Sequence, residues 1–259
     1  MNRLQRAFSL ANAQHRPARV LFMPCGFPSP EASEAVMNTL IEEGADILEL
    51  GVPFSDPIAD GAVIQAASQQ ALKAGASLRK TLTLAANLRA KHPNTGLILF
   101  SYYNPLMAYG FKTLCQDVAN AGIDGLLVVD VPYEEQNEIR PTIEAAGLSW
   151  IPLVSPATTL TRAQRLIQGC NGFVYVITVR GITGERKTLP PELTDRLDAL
   201  RAITPLPLAA GFGISDYATA QHIGQHAQGI VVGSAAVHAL QSGGLDGLRQ
   251  FMRALCGKA

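Results

Sequence analysis

The sequence has little charge, few cysteines and no long apolar run, and each shortage argues against a class of protein. Charged residues make up 16% of the 259 residues, and the formal net charge at pH 7 is zero. Without an excess of positive charge the chain has no field to attract nucleic acid or an anionic membrane. No apolar stretch approaches the length that spans a bilayer. We therefore expect a soluble protein with neither nucleic acid nor membrane as a partner.

The cysteine pattern and the N-terminal segment indicate a cytoplasmic protein. A chain of this length folds without disulfides, and its cysteines form no Cys-x-x-Cys pair. The N-terminus lacks the unbroken apolar core of a secretion signal. Instead Leu4, Ala7, Phe8 and Ala11 recur with a helical period, which predicts a short surface helix. The four cysteines are Cys25, Cys115, Cys170 and Cys256.

Compact apolar runs recur along the chain, separated by segments long enough for a helix. This alternation is typical of repeated strand–helix units with parallel strands. Glycine stands just before several runs, as expected where a helix ends and a strand follows. The eight predicted strands are 20–23, 47–50, 97–100, 126–129, 150–154, 173–177, 206–209 and 230–232.

Eight such units predict one α/β domain over residues 1–259, a closed (β/α)₈ TIM barrel. The barrel is expected to carry an extra N-terminal helix. It should also carry an extra helix between strands 2 and 3, where 65–73 and a segment starting at Ser77 both fit a helix. The first strand is followed by Pro24-Cys25-Gly26-Phe27-Pro28 and not by a Gly-x-Gly-x-x-Gly motif, which disfavours an open dinucleotide-binding sheet.

Two carboxylates lie at the end of the second predicted strand and in the loop after it. Glu49 falls within an apolar run, and Asp60 closes a loop shaped by proline and glycine. Barrel active sites lie at the carboxyl ends of the strands. Burial should raise the pKa of Glu49 so that it exchanges a proton near neutrality. Asp60, which we place nearer solvent, should stay ionised and hold a substrate N–H or a developing positive charge.

Two alternatives remain open for these acids. Glu49 could be a structural carboxylate paired to an arginine or to a backbone cap. Asp56, in the same loop, fits a loop cap or a surface contact better than catalysis.

The loops after the seventh and eighth strands predict a phosphate site. Gly211-Phe212-Gly213 and Gly233-Ser234 each precede a predicted helix, and backbone N–H groups at a helix N-terminus bind anions. The glycines could also be plain turn residues. The segment 179–190, glycine-hinged and polar, could be a lid or an inert solvated loop, and Tyr175 before it is expected to face the barrel mouth.

The sequence lacks the residues that a Schiff-base aldolase or a metal-dependent enzyme would need. The six lysines avoid the strand ends, so a Schiff-base aldolase has no nucleophile. His222 and His226 stand one helical turn apart without the glutamate of a zinc-protease helix, and we expect an exposed pair and no metal site. Cys25 is expected to be a buried small hydrophobe that could line the pocket.

The motif LELGVPFSDPIADG over residues 48–61 resembles the signature of the tryptophan synthase alpha subunit family. Supporting matches run through nearly the whole chain, at 102–105, 130–135, 181–184, 211–214 and 232–235. The resemblance implies a lyase that cleaves indole-3-glycerol phosphate into indole and glyceraldehyde 3-phosphate by a retro-aldol route, without a cofactor of its own.

The resemblance also implies roles for individual residues. Glu49 and Asp60 would be catalytic, with Glu49 exchanging protons and Asp60 stabilising the indole N–H. Tyr175 and Thr183 would support Asp60 and the closed lid. The indole pocket would comprise Phe22, Phe100, Tyr102 and Phe212, and the phosphate site Gly184, Gly213, Gly233 and Ser234.

The family's alpha chain docks on a beta chain that holds pyridoxal phosphate, so the resemblance implies an alpha2beta2 heterotetramer. Asp56, Asn104, Pro132 and Glu134 resemble the docking face. A self-sufficient lyase, a non-catalytic barrel that only activates a beta chain, and another phosphosugar barrel enzyme are the alternatives.

The sequence departs from the family pattern near the proposed site. The first-strand loop containing Pro24 and Phe27 lacks the family's usual small or hydroxyl residue and acid. Ala62 replaces a proline, and Val179-Arg180 replaces the more frequent Arg followed by Ser or Thr. These departures bear on lid closure and on communication with a beta chain.

Overall fold

The computed structural model describes residues 2–178, 192–211 and 213–258. Its strands are all parallel to their neighbours. The strands are β1 (Ala18–Pro24), β2 (Ile47–Gly51), β3 (Gly96–Ser101), β4 (Gly125–Val128), β5 (Ser149–Trp150), β6 (Leu153–Val154), β7 (Val174–Ile177), β8 (Leu208–Gly211) and β9 (Gly229–Val232).

The helices of the described residues fill the connections between the strands. They are α1 (Arg3–Ala13), α2 (Pro30–Glu42), α3 (Ala62–Lys73), α4 (Leu78–Lys91), α5 (Tyr103–Tyr109), α6 (Phe111–Asn120), α7 (Gln136–Ala145), α8 (Leu160–Ile167), α9 (Glu192–Arg201), α10 (Tyr217–Gly224) and α11 (Ser234–Leu255), with a 3-10 turn at Tyr133–Glu135. None of these helices is both long enough and apolar enough to cross a bilayer.

The sheet closes on itself through the fifth predicted strand. The strand order runs β5-β4-β3-β2-β1-β9-β8-β7-β6, and only Ile151 and Pro152 separate the two outer segments. The Ile151 N–H donates to the Leu126 carbonyl (2.9 Å), and the Tyr175 N–H donates to the Pro152 carbonyl (3.0 Å). Pro152 has no N–H to give, which divides the predicted strand 150–154 into β5 and β6. The predicted (β/α)₈ barrel is therefore confirmed.

Alternation along the strands sorts the side chains into two cores. Successive residues of a strand point to opposite faces, so Val20 and Ile47 point into the barrel while Leu21 and Leu48 point outward to the helices. Both cores are apolar because a parallel sheet is covered on both faces. The inward position after Ile47 is Glu49.

Helix α1 closes the amino-terminal end of the barrel. Leu4, Ala7, Phe8 and Ala11 are buried with the inner core, and the Phe8 ring lies 5.3 Å from that of Phe173. The predicted surface helix is present, with Leu10 on its outer face 52% exposed, but its role as a plug was not predicted. Four apolar side chains on one face of a helix lose more contact with water when the helix plugs the end of the barrel than when it lies along the outside of the barrel.

An ion-pair network fastens α1 to this end of the barrel. The Asp124 carboxylate accepts hydrogen bonds from Arg3 (3.0 Å), from Arg89 (2.8 Å) and from the Leu97 N–H (2.9 Å). With one end plugged and tied, the carboxyl ends of the strands remain to form a site.

The predicted helix boundaries hold where the local chemistry is strongest. The side chains of Ser29 and Ser77 cap α2 and α4 by accepting backbone N–H groups. Gly44, ahead of β2, has a φ of 114°, and Gly122, ahead of β4, has a φ of 77°, in the region that favours glycine. The second helix between β2 and β3 is thus α4, as predicted.

Candidate active site

Glu49 lies on the inner face of β2 and is fully buried. It is level with Phe22 of β1 and Ile98 of β3. Neither of its oxygens has a hydrogen-bond partner within the described residues. Burial raises the pKa of Glu49 from 4.5 to about 8, which confirms the predicted direction. The alternative of a structural acid paired to an arginine finds no such partner in the part of the chain described.

Asp60 is nearer solvent than Glu49, as expected, but it is also buried, with 7% of its surface exposed against 0% for Glu49. The loop from β2 to α3 turns its side chain inward. Burial raises the pKa of Asp60 from 3.8 to about 6, and a hydrogen bond from Tyr102 partly offsets that rise. A carboxyl with this pKa is still mostly ionised at neutral pH. The two acids therefore differ in charge there, with Glu49 protonated and Asp60 ionised.

Tyr175 shows that both acids lie at the same end of the barrel. It points inward from β7, and its pKa is raised well above the usual value by burial and by the charges of Glu49 and Asp60. Its place on the inner face of β7 is consistent with the predicted position at the mouth. A Cβ on Gly211 of β8 would lie only 2.8 Å from the Tyr175 hydroxyl, so the small residue leaves room for the ring.

Phe22 and Phe100 form an aromatic wall beside Glu49. Their ring centroids lie 4.9 Å apart in an edge-to-face arrangement. Gly51 on β2 lies between their strands, and a Cβ there would approach the Phe22 ring to 2.7 Å. The structure thus brings together three predicted pocket residues, Phe22, Phe100 and Tyr102, at one strand end. Phe212, the fourth, lies outside the described residues.

Tyr102 has a contact that the sequence analysis missed. It is 2% exposed, and its hydroxyl accepts the Ala59 N–H at 3.0 Å while also reaching Asp60. Its ring packs against Phe54, with centroids 5.2 Å apart. Tyr102 follows directly after β3. That position at a strand end was the only sequence signal pointing to a role near Asp60.

The two predicted phosphate loops differ from each other. Gly233 precedes α11 with no side-chain cap, which leaves the first N–H groups of this helix available to an anion. The helical conformation of α11 is interrupted further on, at Gly244, which has a φ of 60°. The N-terminus of α10, in contrast, is occupied by Asp216, whose carboxylate accepts the Thr219 N–H at 2.8 Å. The expectation of a free helix terminus after both strands is therefore wrong for α10. Gly213 can offer only loop N–H groups.

Of the remaining predicted residues of the phosphate site and lid, one lies in the described part of the chain and the others do not. Ser234 is the first residue of α11. Thr183, Gly184 and the proposed lid segment, including Val179-Arg180, fall in the part of the chain that is not described.

The residues predicted for a docking face are all exposed. Asp56, Asn104, Pro132 and Glu134 lie in connections that follow β2, β3 and β4. Arg162 holds Glu134 through two hydrogen bonds of 2.8 Å. Sequence reasoning missed two large apolar side chains beside these residues, Ile58 and Met107, which are 77% and 50% exposed.

The remaining predictions concern residues away from the acids. Cys25 is buried among outer-core side chains, and burial raises its pKa to about 12, as fits a small hydrophobe. Pro24 ends β1, Phe27 is buried, and Ala62 begins α3. Of the imidazoles, His222 is exposed and His226 contacts Asp198 at 3.1 Å. The described ranges contain no cluster of His, Cys, Asp and Glu fit for a metal ion.

Comparison with known proteins decides the family. A family model described as "Tryptophan synthase alpha chain" matches residues 8–256. The chain belongs to the tryptophan synthase alpha chain family. The tryptophan synthase alpha chain of Xylella fastidiosa strain 9a5c is 44% identical over 240 residues, covering 93% of this chain and 90% of that protein. That of Chloroflexus aggregans is 39% identical over 241 residues, with the same coverage of each chain.

Solved structures agree with this membership of the tryptophan synthase alpha chain family. A structure of Mycobacterium tuberculosis tryptophan synthase has a TM-score of 0.91 at 35% identity and covers 99% of this chain and 97% of its own. The tryptophan synthase alpha chain of Legionella pneumophila subsp. pneumophila has a TM-score of 0.89 at 30% identity and covers 98% of this chain and 96% of its own.

We expect the Glu49→Gln variant of this alpha chain to be more stable than the wild type. Between pH 4.5 and about 8 the folded chain keeps a proton on Glu49 that the unfolded chain has lost, so stability falls as pH rises. At neutral pH the loss is about 3 kcal/mol. Urea unfolding, followed by the fluorescence of the single tryptophan, Trp150, should show the variant's advantage growing across this window.

The Glu144→Gln variant is the control, because it makes the same substitution at an exposed acid whose ion pair with Arg140 contributes little to stability. Equal stability of wild type and Glu49→Gln at every pH would show that the Glu49 carboxyl is not held protonated.

Proposed function

We propose that this chain is a lyase that cleaves indole-3-glycerol phosphate to indole and glyceraldehyde 3-phosphate, as the alpha subunit of a tryptophan synthase. The observation that carries the proposal is a buried Glu49 carboxyl that has no hydrogen-bond partner among the described residues and lies at the same end of the barrel as Asp60. Family membership supports the substrate and the reaction. The activity places the chain in tryptophan biosynthesis, and we propose a cytoplasmic location.

Glu49 transfers the protons of the reaction. Protonated Glu49 gives its proton to the indole carbon that carries the glycerol chain, which leaves a positive charge on the ring nitrogen. The resulting carboxylate then takes the proton of the adjacent glycerol hydroxyl. The carbon–carbon bond breaks, its electron pair restores the indole, and the hydroxyl carbon becomes the aldehyde. A pKa of about 8 suits both transfers, since neither state of Glu49 is strongly favoured near neutrality.

Asp60 stabilises the charge that develops on the ring nitrogen. Its pKa of about 6 keeps it ionised while Glu49 is protonated. In a site shielded from water, a fixed negative charge close to the N–H lowers the energy of the cationic intermediate. This is the arrangement in which two carboxyls with separated pKa values take different roles.

The remaining parts of the site bind the two ends of the substrate. Phe22, Phe100 and Tyr102 form the described part of the wall for the indole ring. From family membership we assign Phe212 to the same wall. The phosphate binds at the N-terminus of α11, at Gly233 and Ser234, with the backbone of Gly213 and Gly184. We assign Tyr175 and Thr183 the support of Asp60. Asp216 at α10 repels an anion, so the phosphate lies nearer α11.

We further propose that the chain holds no cofactor or metal of its own and works with a beta subunit that carries pyridoxal phosphate. The docking face comprises the exposed residues Asp56, Asn104, Pro132 and Glu134, together with Ile58 and Met107. Ile58 lies in the connection after β2, and Met107 lies in the connection after β3. These two exposed apolar side chains supply the apolar centre that a stable interface needs. We propose an alpha2beta2 assembly, as family membership implies, in which this face on each alpha chain binds one beta chain.

Replacing Glu49 tests the lyase. We expect Glu49→Gln to lose almost all turnover of indole-3-glycerol phosphate, because an amide cannot exchange the proton, while the fold persists. Product analysis for indole and glyceraldehyde 3-phosphate measures this directly, with Glu144→Gln as the matched control. Turnover by Glu49→Gln equal to that of the wild type would reject the proposed mechanism, whether or not a beta chain binds.

The pH dependence of kcat/KM should be bell-shaped. Activity requires Asp60 ionised, which fails below its pKa of about 6, and Glu49 protonated, which fails above its pKa of about 8. The maximum is therefore expected near neutral pH. Rates measured from acid to alkaline buffers check this, and activity that keeps rising well above the pKa of Glu49 would show that its protonated form is not the reactive one.

The docking face is tested by placing a charge on it. Met107→Asp should weaken binding of a purified tryptophan synthase beta chain at least about tenfold, because a carboxylate is costly to bury at an apolar contact. Leu10→Asp is the matched control, since Leu10 is 52% exposed against 50% for Met107 but lies on α1 at the opposite end of the barrel.

Titration calorimetry of each variant with the beta chain measures the effect. Equal losses in the two variants would place the interface elsewhere. Turnover with and without the beta chain also separates an alpha subunit, which the partner activates, from a self-sufficient lyase.

A further inference from the structure

We propose that the Tyr102 hydroxyl is a positioning group that fixes the Asp60 carboxylate for the reaction. This inference rests on the proposed function and adds a role to Tyr102 beyond that of a wall for the indole ring. It depends on the contacts of one buried side chain with both parts of the loop between β2 and α3.

The hydroxyl of Tyr102 contacts two adjacent residues of this loop. It accepts the Ala59 N–H at 3.0 Å, and it interacts with the carboxyl of Asp60. A tyrosine hydroxyl can accept one hydrogen bond while donating another, so accepting from Ala59 leaves its hydrogen free to donate to the carboxylate. The hydrogen bond from Ala59 therefore orients the Tyr102 hydroxyl toward Asp60, the next residue in the chain.

The ring of Tyr102 holds the other part of the same loop. It packs on Phe54, with centroids 5.2 Å apart and planes 33° from parallel. Tyr102 itself is 2% exposed and follows directly after β3, so it stands on a rigid element. The Tyr102 side chain therefore holds the loop between β2 and α3 at two places. One is Phe54, and the other is the pair Ala59 and Asp60.

The electrostatic surroundings explain why Asp60 needs such a donor. Burial raises its pKa towards neutrality, and the hydrogen bond from Tyr102 acts in the opposite direction. Among the described residues, Tyr175 and Glu49 share the inner face of this end of the barrel with Asp60, and neither carries a positive charge. Asp130, after β4, also acts on Tyr102 with a negative charge. Of these groups, only Tyr102 favours the ionised form of Asp60.

Tyr102→Phe tests the inference, because it removes the hydroxyl and keeps the ring that faces Phe54 and the pocket. We expect kcat to fall about tenfold near pH 6, the loss typical of a hydrogen bond to a charged group, and by less near pH 8. The acid limb of the pH profile should move to higher pH. KM should change little, since the aromatic wall is intact.

Tyr109→Phe is the matched control. Tyr109 lies on α5 and donates to the Asp117 carboxylate at 2.7 Å, so the substitution removes a similar bond away from Asp60. The control is expected to keep the acid limb of the wild type. If Tyr102→Phe also keeps it, or loses the same factor at every pH, the hydroxyl does not position Asp60.

Two measurements without substrate separate this inference from the proposed lyase activity. In Tyr102→Phe the Ala59 amide should exchange its hydrogen faster, and the Asp60 carboxyl, followed by carbon-13 NMR, should titrate at higher pH than in the wild type. If the wild type does not cleave indole-3-glycerol phosphate, the lyase fails alone while these two shifts still support the contact. Unchanged exchange and titration would reject the role of Tyr102 even in an active enzyme.

Discussion

The Glu49 carboxyl lies in the apolar interior of a closed barrel with no hydrogen-bond partner among the described residues, and much of the structure around it follows from this burial. Removal from water costs the charged form so much that the group keeps its proton up to a pKa of about 8. The same environment makes it a proton donor and acceptor at neutral pH. The cost appears as lower stability, which the barrel's two large apolar cores can sustain.

The barrel supplies this environment by alternation and closure. On β2 the inward positions are Ile47, Glu49 and Gly51, so the acid belongs to the last layer of the interior, below the small residue that admits the Phe22 ring. Closure through Ile151 and Pro152 makes that interior continuous, and α1 seals its opposite end. Water access and substrate access are thereby limited to the carboxyl ends of the strands.

Asp60 depends on tertiary contacts more than Glu49 does. Its loop carries no regular structure, and its carboxyl is placed by the burial of the loop and by Tyr102 from the next strand. The different supports explain why two carboxyls at one end of the barrel have pKa values about 2 units apart, about 8 and about 6. A pair of acids in opposite protonation states is what the proposed retro-aldol chemistry requires.

Sequence alone was enough to predict the eight strand–helix units, the glycine stops, the helix start at Ser77 and the raised pKa of Glu49. These depend on local periodicity and on the cost of burying a charge, which are properties of neighbouring residues. The cap of α10 was not predicted although it is local, since Asp216 and Thr219 are only three residues apart. The burial of Asp60, the second contact of Tyr102 and the plug formed by α1 emerged only in the folded chain. Each of these joins residues far apart in the chain or depends on how deeply a loop folds inward, and a one-dimensional pattern contains no record of such distances.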